Sequence, residues 1–165
     1  MIMTHTITDI YGKQQVVKCL SCAIGEHSAP AEIVLQTKHF HAEQDFEIPI
    51  PGFIIIASNR HFFGIDEMSQ AELVDFSTVL AQIRRALRQV IGIDTVYLVH
   101  EEDTRNAHFH MWIFPRYAWM EEKFGSGVAT VRTIMEYARK ELKNDDNFEQ
   151  VKNVVKKLSA TLLGI

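Results

Sequence analysis

The residues able to do chemistry gather in one short run, Asn106-Ala107-His108-Phe109-His110-Met111-Trp112-Ile113-Phe114-Pro115-Arg116. Two histidines and a tryptophan alternate there with apolar residues, and side chains two apart on a strand share a face. His108, His110 and Trp112 therefore point one way, while Phe109, Met111 and Ile113 point into a core and Pro115 ends the strand. A neutral imidazole with one ring nitrogen held by a hydrogen bond offers the other for nucleophilic or base chemistry near pH 7. Taken alone, a His-x-His pair also fits a half-buried strand exposing two ordinary histidines.

Cys19 and Cys22 are the only cysteines, and their spacing fits a metal pair, a redox pair or two inert thiols. Both thiolates can reach one ion, yet a pair supplies only half of a tetrahedral zinc site, so the remaining ligands must come from elsewhere. Nothing around Leu20 and Ser21 resembles an oxidoreductase active site.

The elements that must hold these residues follow from periodicity. Residues 31 to 36 and 38 to 44 read as strands, and Phe53 to Ala57 as a buried third, after the turn cluster Ile48-Pro49-Ile50-Pro51-Gly52. Ser69-Gln70-Ala71-Glu72 is a capping-box pattern, and Leu73, Phe76, Leu80, Ile83, Leu87 and Val90 recur at steps of three and four until Gly92, predicting one long helix. Thr95 to His100 and Ala107 to Phe114 read as a strand pair joined by a polar loop. Two further helices close the chain, one with Val128, Val131, Met135, Ala138 and Leu142 on a face, the other with Val151, Val155, Leu158 and Leu162. Strands grouped around one long helix predict an α+β domain with an antiparallel sheet of about five strands.

With 165 residues, 47% of them hydrophobic, the chain has enough apolar content for one core, and residues 1–165 read as a single domain. No apolar run approaches a membrane span and no signal pattern opens the chain, so a cytoplasmic setting is expected. A net charge of −4 argues against a dedicated nucleic-acid surface.

The strand resembles the mark of the histidine triad family, His, apolar, His, apolar, His, followed by two apolar residues and often Pro-Arg. Here Trp112 stands at the third histidine. Gly52-Phe53-Ile54-Ile55-Ile56-Ala57-Ser58-Asn59-Arg60-His61 is similar to the family's Gly-His-x-Leu-Val-Ile-Pro-Lys-x-His strand. Cys19-Leu20-Ser21-Cys22 is similar to the N-terminal Cys-x-x-Cys of many bacterial members. The resemblance spans about Cys19 to Arg116, leaving about Tyr117 to Ile165 as a helical extension without a counterpart.

The resemblance implies a covalent mechanism in which His110 attacks the α-phosphorus of a nucleotide, its tautomer fixed by the backbone carbonyl at the third triad position, Trp112. It implies a structural zinc site of Cys19, Cys22, His61 and His108. Asp45 matches the family's ribose-binding acid, against the alternative of an ordinary turn Asp before Ile48-Pro49. Phe46 and Ile55 are candidates to pack on the base. Where relatives have a Gly-rich phosphate loop, this chain has Glu101-Glu102-Asp103-Thr104-Arg105-Asn106, whose three acids repel polyphosphate while Thr104, Arg105 and Asn106 remain phosphate candidates. His39 and His41 read as surface residues, and His100 as a surface strand-end residue or one that faces the pocket. Arg116 reads as a phosphate ligand or a charged strand end.

Trp112 loses the phosphate-facing side chain of the third histidine, since an indole offers one N–H and exchanges no proton usefully. Two readings follow. One is a nucleotide hydrolase or nucleotidyl transferase acting on a nucleoside phosphate, phosphoramidate or dinucleoside polyphosphate. The other is a weak or inactive nucleotide-binding or protein-interaction module on the same fold, with the added helices as a working surface. The resemblance also implies a homodimer.

Overall fold

The computed structural model of the chain describes residues 5–8, 14–17, 19, 32–102 and 108–163. Strands β1 (His5–Thr8) and β2 (Gln14–Val17) form a small antiparallel hairpin. A second sheet holds β3 (Ile33–Gln36), β4 (Phe40–Gln44), β5 (Ile54–Ser58), β6 (Val96–Val99) and β7 (His110–Pro115). Its spatial order is β3-β4-β5-β7-β6, antiparallel throughout. The helices are α1 (Gln70–Ile91), α2 (Ala118–Phe124), α3 (Val131–Glu141) and α4 (Asp145–Leu163). The antiparallel five-stranded sheet, the long helix and the two closing helices are as the periodicity predicts. No described helix is long and apolar enough to cross a membrane.

Each face of the sheet is covered by a different pair of helices. On one face Phe40, Ala42, Ile54, Ile56, Phe109 and Ile113 meet Phe76, Val79, Ile83 and Leu87 of α1 and Val151, Val155, Leu158 and Leu162 of α4. Every fully buried side chain of this size contributes about 1.5–3 kcal/mol, so this layer dominates stability. On the other face Phe53 and Phe114 pack beneath Met120 of α2 and Val131, Ile134 and Ala138 of α3. Tyr97 and Trp112 lie partly buried against that second cluster.

Two helical details depart from the predicted pattern. Leu73 is 38% exposed, because in the first turn of α1 it is Glu72 that points inward. The Glu72 carboxylate accepts the Ser69 amide at 2.8 Å, completing the capping box. It also accepts Arg60 Nε at 2.9 Å. Val128 is exposed in a 3-10 turn, Val128–Thr130, that follows Gly127 at φ 98°, and α3 begins only at Val131. The short helix α2 escapes periodicity because it buries a single residue, Met120.

Gly52 shows why the turn before β5 carries a glycine. Its φ is +77°, and an added Cβ would lie 2.7 Å from Ile91 Cδ1. The Tyr117 hydroxyl donates to the neighbouring Pro51 carbonyl at 2.7 Å, bracing this turn against the start of α2. Burial pushes that phenol up to about 12, so it stays a donor throughout the physiological range.

Arg60 and the Ser69 hydrogen bonds hold the Glu72 carboxyl down at about 2, below its usual 4.5. Its contribution to stability is therefore complete above about pH 4.5 and is lost as the pH falls toward 2. Glu72→Ala is expected to lower stability by about 1 kcal/mol at pH 7. Urea denaturation should show that difference shrinking as the pH falls below 4.5.

Candidate functional site

The alternation read from the sequence holds on β7. His110 and Trp112 share a face, with ring centroids 6.1 Å apart. Across the sheet Ala57 pairs with His110, and Ile55 and Val99 pair with Trp112. Phe109, between the two histidines, is fully buried on the opposite face.

His110 is fixed by its own strand. Its Nδ1 lies 2.9 Å from the carbonyl of His108. A carbonyl only accepts, so Nδ1 carries the proton and Nε2 keeps its lone pair. This corrects the expectation that the carbonyl of Trp112 sets the tautomer: the ring leans back along the strand and reaches the carbonyl two residues before it.

His100 is not a bystander at a strand end. Its Nδ1 donates to the His110 carbonyl at 2.8 Å, its Nε2 lies 3.1 Å from Glu102 Oε1, and its ring packs on Phe109 at 4.8 Å. His100 thereby bridges the His110 backbone and the Glu102 side chain. The Ile65 amide and His100 hold the Glu102 carboxyl below its usual range.

On the other side of Phe109 lies a group suited to a metal. Cys19 Sγ is 3.4 Å from His108 Nδ1, which is 3.1 Å from His61 Nδ1. All three ligand atoms fall within 4.8 Å of one another. Around a tetrahedral zinc, nitrogen ligands sit about 3.3 Å apart and a nitrogen and a sulfur about 3.6 Å apart, so the three residues fit such an ion. His108 Nε2 donates to the Ser58 carbonyl at 2.8 Å, which leaves Nδ1 unprotonated and aimed at the cluster. Burial lowers the His108 pKa and favours the same neutral form. The backbone builds this corner: Phe109 N donates to Phe62 O at 2.8 Å and Ser58 N to Phe109 O at 3.2 Å. Cys22 lies outside the described residues.

The other expected residues divide. Ile55 is half-buried on the His110 face. Phe46 instead packs against the core layer of α1 and α4. Asp45 Oδ1 accepts the amides of Glu47 at 2.8 Å and Ile48 at 3.1 Å, the turn role weighed against ribose binding. Burial pushes its carboxyl up, against the pull of those amides. The Asp45 amide bonds Phe53, four residues along β5 from the level of His110, a run of about 13 Å at 3.3 Å per residue. Thr104, Arg105 and Asn106 lie outside the described residues. Arg116 is tied to the Gly125 carbonyl at 2.8 Å and lies over the Tyr97 ring, a link between β7 and the extension.

His41 is a correction. Its alternating position suggests a surface residue, yet it is only 2% exposed, because β4 is an inner strand between β3 and β5. Its Nδ1 bonds Asn59 Oδ1 at 2.9 Å, and its Nε2 has no hydrogen-bond partner among the described residues.

No protein-family model matches the chain. It is 28% identical over 115 residues to an uncharacterized HIT-like protein of Methanocaldococcus jannaschii, a match covering 65% of this chain and 87% of that protein. Among solved structures it resembles a zinc-bound histidine triad family protein from Mycobacterium smegmatis, with a TM-score of 0.60 at 17% identity, covering 88% of this chain and 94% of that one. It also resembles a uridylyltransferase mutant, with a TM-score of 0.62 at 20% identity, covering 88% of this chain and 47% of that one. At these identities the solved structures share the fold.

The hydrogen bonds assign opposite tautomers to two histidines two residues apart. Long-range 1H–15N correlation spectra at pH 8 should show His110 protonated at Nδ1 and His108 at Nε2. A His110 protonated at Nε2 would contradict the Nδ1 tether to the His108 carbonyl.

Proposed function

From the premise that this is a histidine-triad-like protein, by motif and by fold, we propose that it is a nucleotide hydrolase or nucleotidyl transferase. Its substrate is a nucleoside phosphate, phosphoramidate or dinucleoside polyphosphate, cleaved at the α-phosphate through His110. The observation that carries this reading is the Nδ1 tether of His110 to the His108 carbonyl, which leaves Nε2 as a lone pair on the strand's reactive face.

In the proposed reaction His110 Nε2 forms a bond to the α-phosphorus as the bond from phosphorus to the leaving group breaks. The ring becomes cationic, and the His108 carbonyl stabilises it through the Nδ1 proton. Water, or another acceptor, then attacks phosphorus, loses its proton to solvent, and returns His110 to the neutral ring. Trp112 cannot protonate the leaving group. Leaving groups that depart as stable anions, such as phosphates, are therefore favoured over amines. Asp45 and Ile55 are proposed on the nucleoside side and Thr104, Arg105 and Asn106 on the phosphate side, with Phe46 supporting the Asp45 turn.

Zinc is the proposed metal, held by Cys19, His61 and His108 with Cys22 as the fourth ligand. It supplies a structural cross-link, pinning the segment around Cys19 to the end of the reactive strand. A homodimer is proposed across β6, an edge strand whose Leu98 is 48% exposed.

The reading is tested by intact-protein mass spectrometry after quenching without acid, with diadenosine tetraphosphate and adenosine phosphoramidate as substrates. A nucleotidyl adduct and AMP release are expected from the wild type, faster with the tetraphosphate, and His110→Ala should lose at least about 10³-fold of the rate. AMP release by His110→Ala at the wild-type rate would refute the assignment, and AMP binding without turnover would favour the binding-module reading. Elemental analysis should find about one zinc per chain, and Cys19→Ser should lower it. Full zinc occupancy in Cys19→Ser would exclude the proposed ligand set.

A further inference from the structure

The C-terminal extension brings a cation to the reactive face. Val99, the last residue of β6, pairs with Trp112 of β7, and Glu101 follows two residues after it, beyond His100, which bonds the His110 carbonyl. Arg132, the second residue of α3, bonds Glu101 Oε2 through Nη2 at 2.5 Å. The same guanidinium lies over the indole of Trp112, with Cζ 5.6 Å from the ring centroid. Trp112 itself stands 6.1 Å from His110, ring to ring. A positive charge is thus supported on Trp112, the neighbour of His110 along the strand, and on Glu101.

The support is rigid and the charge is open. An arginine plane on an indole face and a carboxylate pair each restrict the guanidinium, and together they fix its position and orientation. Its side chain is nevertheless 67% exposed, and the Glu101 bond engages Nη2 alone among five N–H groups. Such a group is suited to a phosphate, whose oxygens accept a guanidinium fork.

The chemistry at His110 has a vacancy of this kind. Attack at an α-phosphate keeps negative charge on the non-bridging oxygens and sends more to the leaving group, and Trp112 meets that charge with at most one neutral N–H. We propose that Arg132 binds the substrate phosphate beside His110, supplying from the added helix the positive charge that the third strand position lacks. Trp112 and Glu101 act as positioning residues that hold the guanidinium in place. The Glu101 charge, unfavourable to a phosphate by itself, is balanced by the same pair. This inference rests on the nucleotide reading above and adds the residue that recognises the phosphate.

The test compares AMP and adenosine as probes, by calorimetry, in the wild type, Arg132→Gln and Arg132→Lys. The wild type is expected to bind AMP at least about tenfold more tightly than adenosine. Arg132→Gln should bring the two affinities within about twofold while leaving adenosine binding unchanged, and Arg132→Lys should recover part of the difference. Thermal melting of the variants should match the wild type, since Arg132 is a surface residue. With diadenosine tetraphosphate, Arg132→Gln should slow formation of the His110 adduct by about 10²-fold. Undiminished AMP preference in Arg132→Gln, or no preference for AMP in the wild type, would overturn the proposal. Loss of the preference in a protein that never forms an adduct would uphold Arg132 and refute only the covalent reading.

Discussion

The site depends on the burial of Phe109. Its ring, fully buried, meets Phe40, Phe62 and Phe76 at centroid distances of 5.3 to 6.0 Å and carries His100 at 4.8 Å. Its amide and carbonyl bond Phe62 and Ser58. Truncating a side chain so placed costs about 3–5 kcal/mol, more than any single polar contact here supplies. Because strand side chains alternate, anchoring Phe109 in the core turns His110 to the opposite face, while His108, just before the strand, is buried beside Ser58 and His61. A slip by one residue would turn His110 into the core and bring the phenyl ring to the opposite face.

Two histidines two residues apart thereby serve opposite ends of the problem. His108 spends Nε2 on the Ser58 carbonyl and turns Nδ1 toward Cys19 and His61. His110 spends Nδ1 on the His108 carbonyl and keeps Nε2. The carbonyl of the first residue is the tether of the second, so the geometry of the group formed by Cys19, His61 and His108 and that of His110 share one peptide group. Arg60 extends the linkage, joining the loop that carries His61 to the capping carboxylate of α1.

Much of this was legible in the sequence because it is local. Period-two alternation fixed which side chains share the reactive face. The Ser69 to Glu72 box marked the start of α1, and Val151, Val155, Leu158 and Leu162 all fall on the buried stripe of α4. What escaped depends on partners distant in sequence. Nothing near His41 says that β4 lies inside the sheet, nothing near His100 says that the His110 carbonyl is within reach, and Arg132 acquires meaning only beside Glu101, 31 positions away. The tether of His110 was a choice between two carbonyls on one strand, which spacing cannot decide. The α2 helix, with one buried residue, has no period to read.

The brace from Tyr117 to Pro51 has a bearing on how the chain comes to be folded during synthesis. Chains emerge from the ribosome N-terminus first, and early segments settle only as far as their partners have appeared. The strand bearing His110 is complete at Pro115, yet Phe53, Phe114 and Trp112 find their cover only in α2 and α3, made afterwards. Until those helices emerge, the nascent sheet presents a bare aromatic face beside His110. The last third of the polypeptide is thus the step that turns an exposed, adhesive sheet into a covered one.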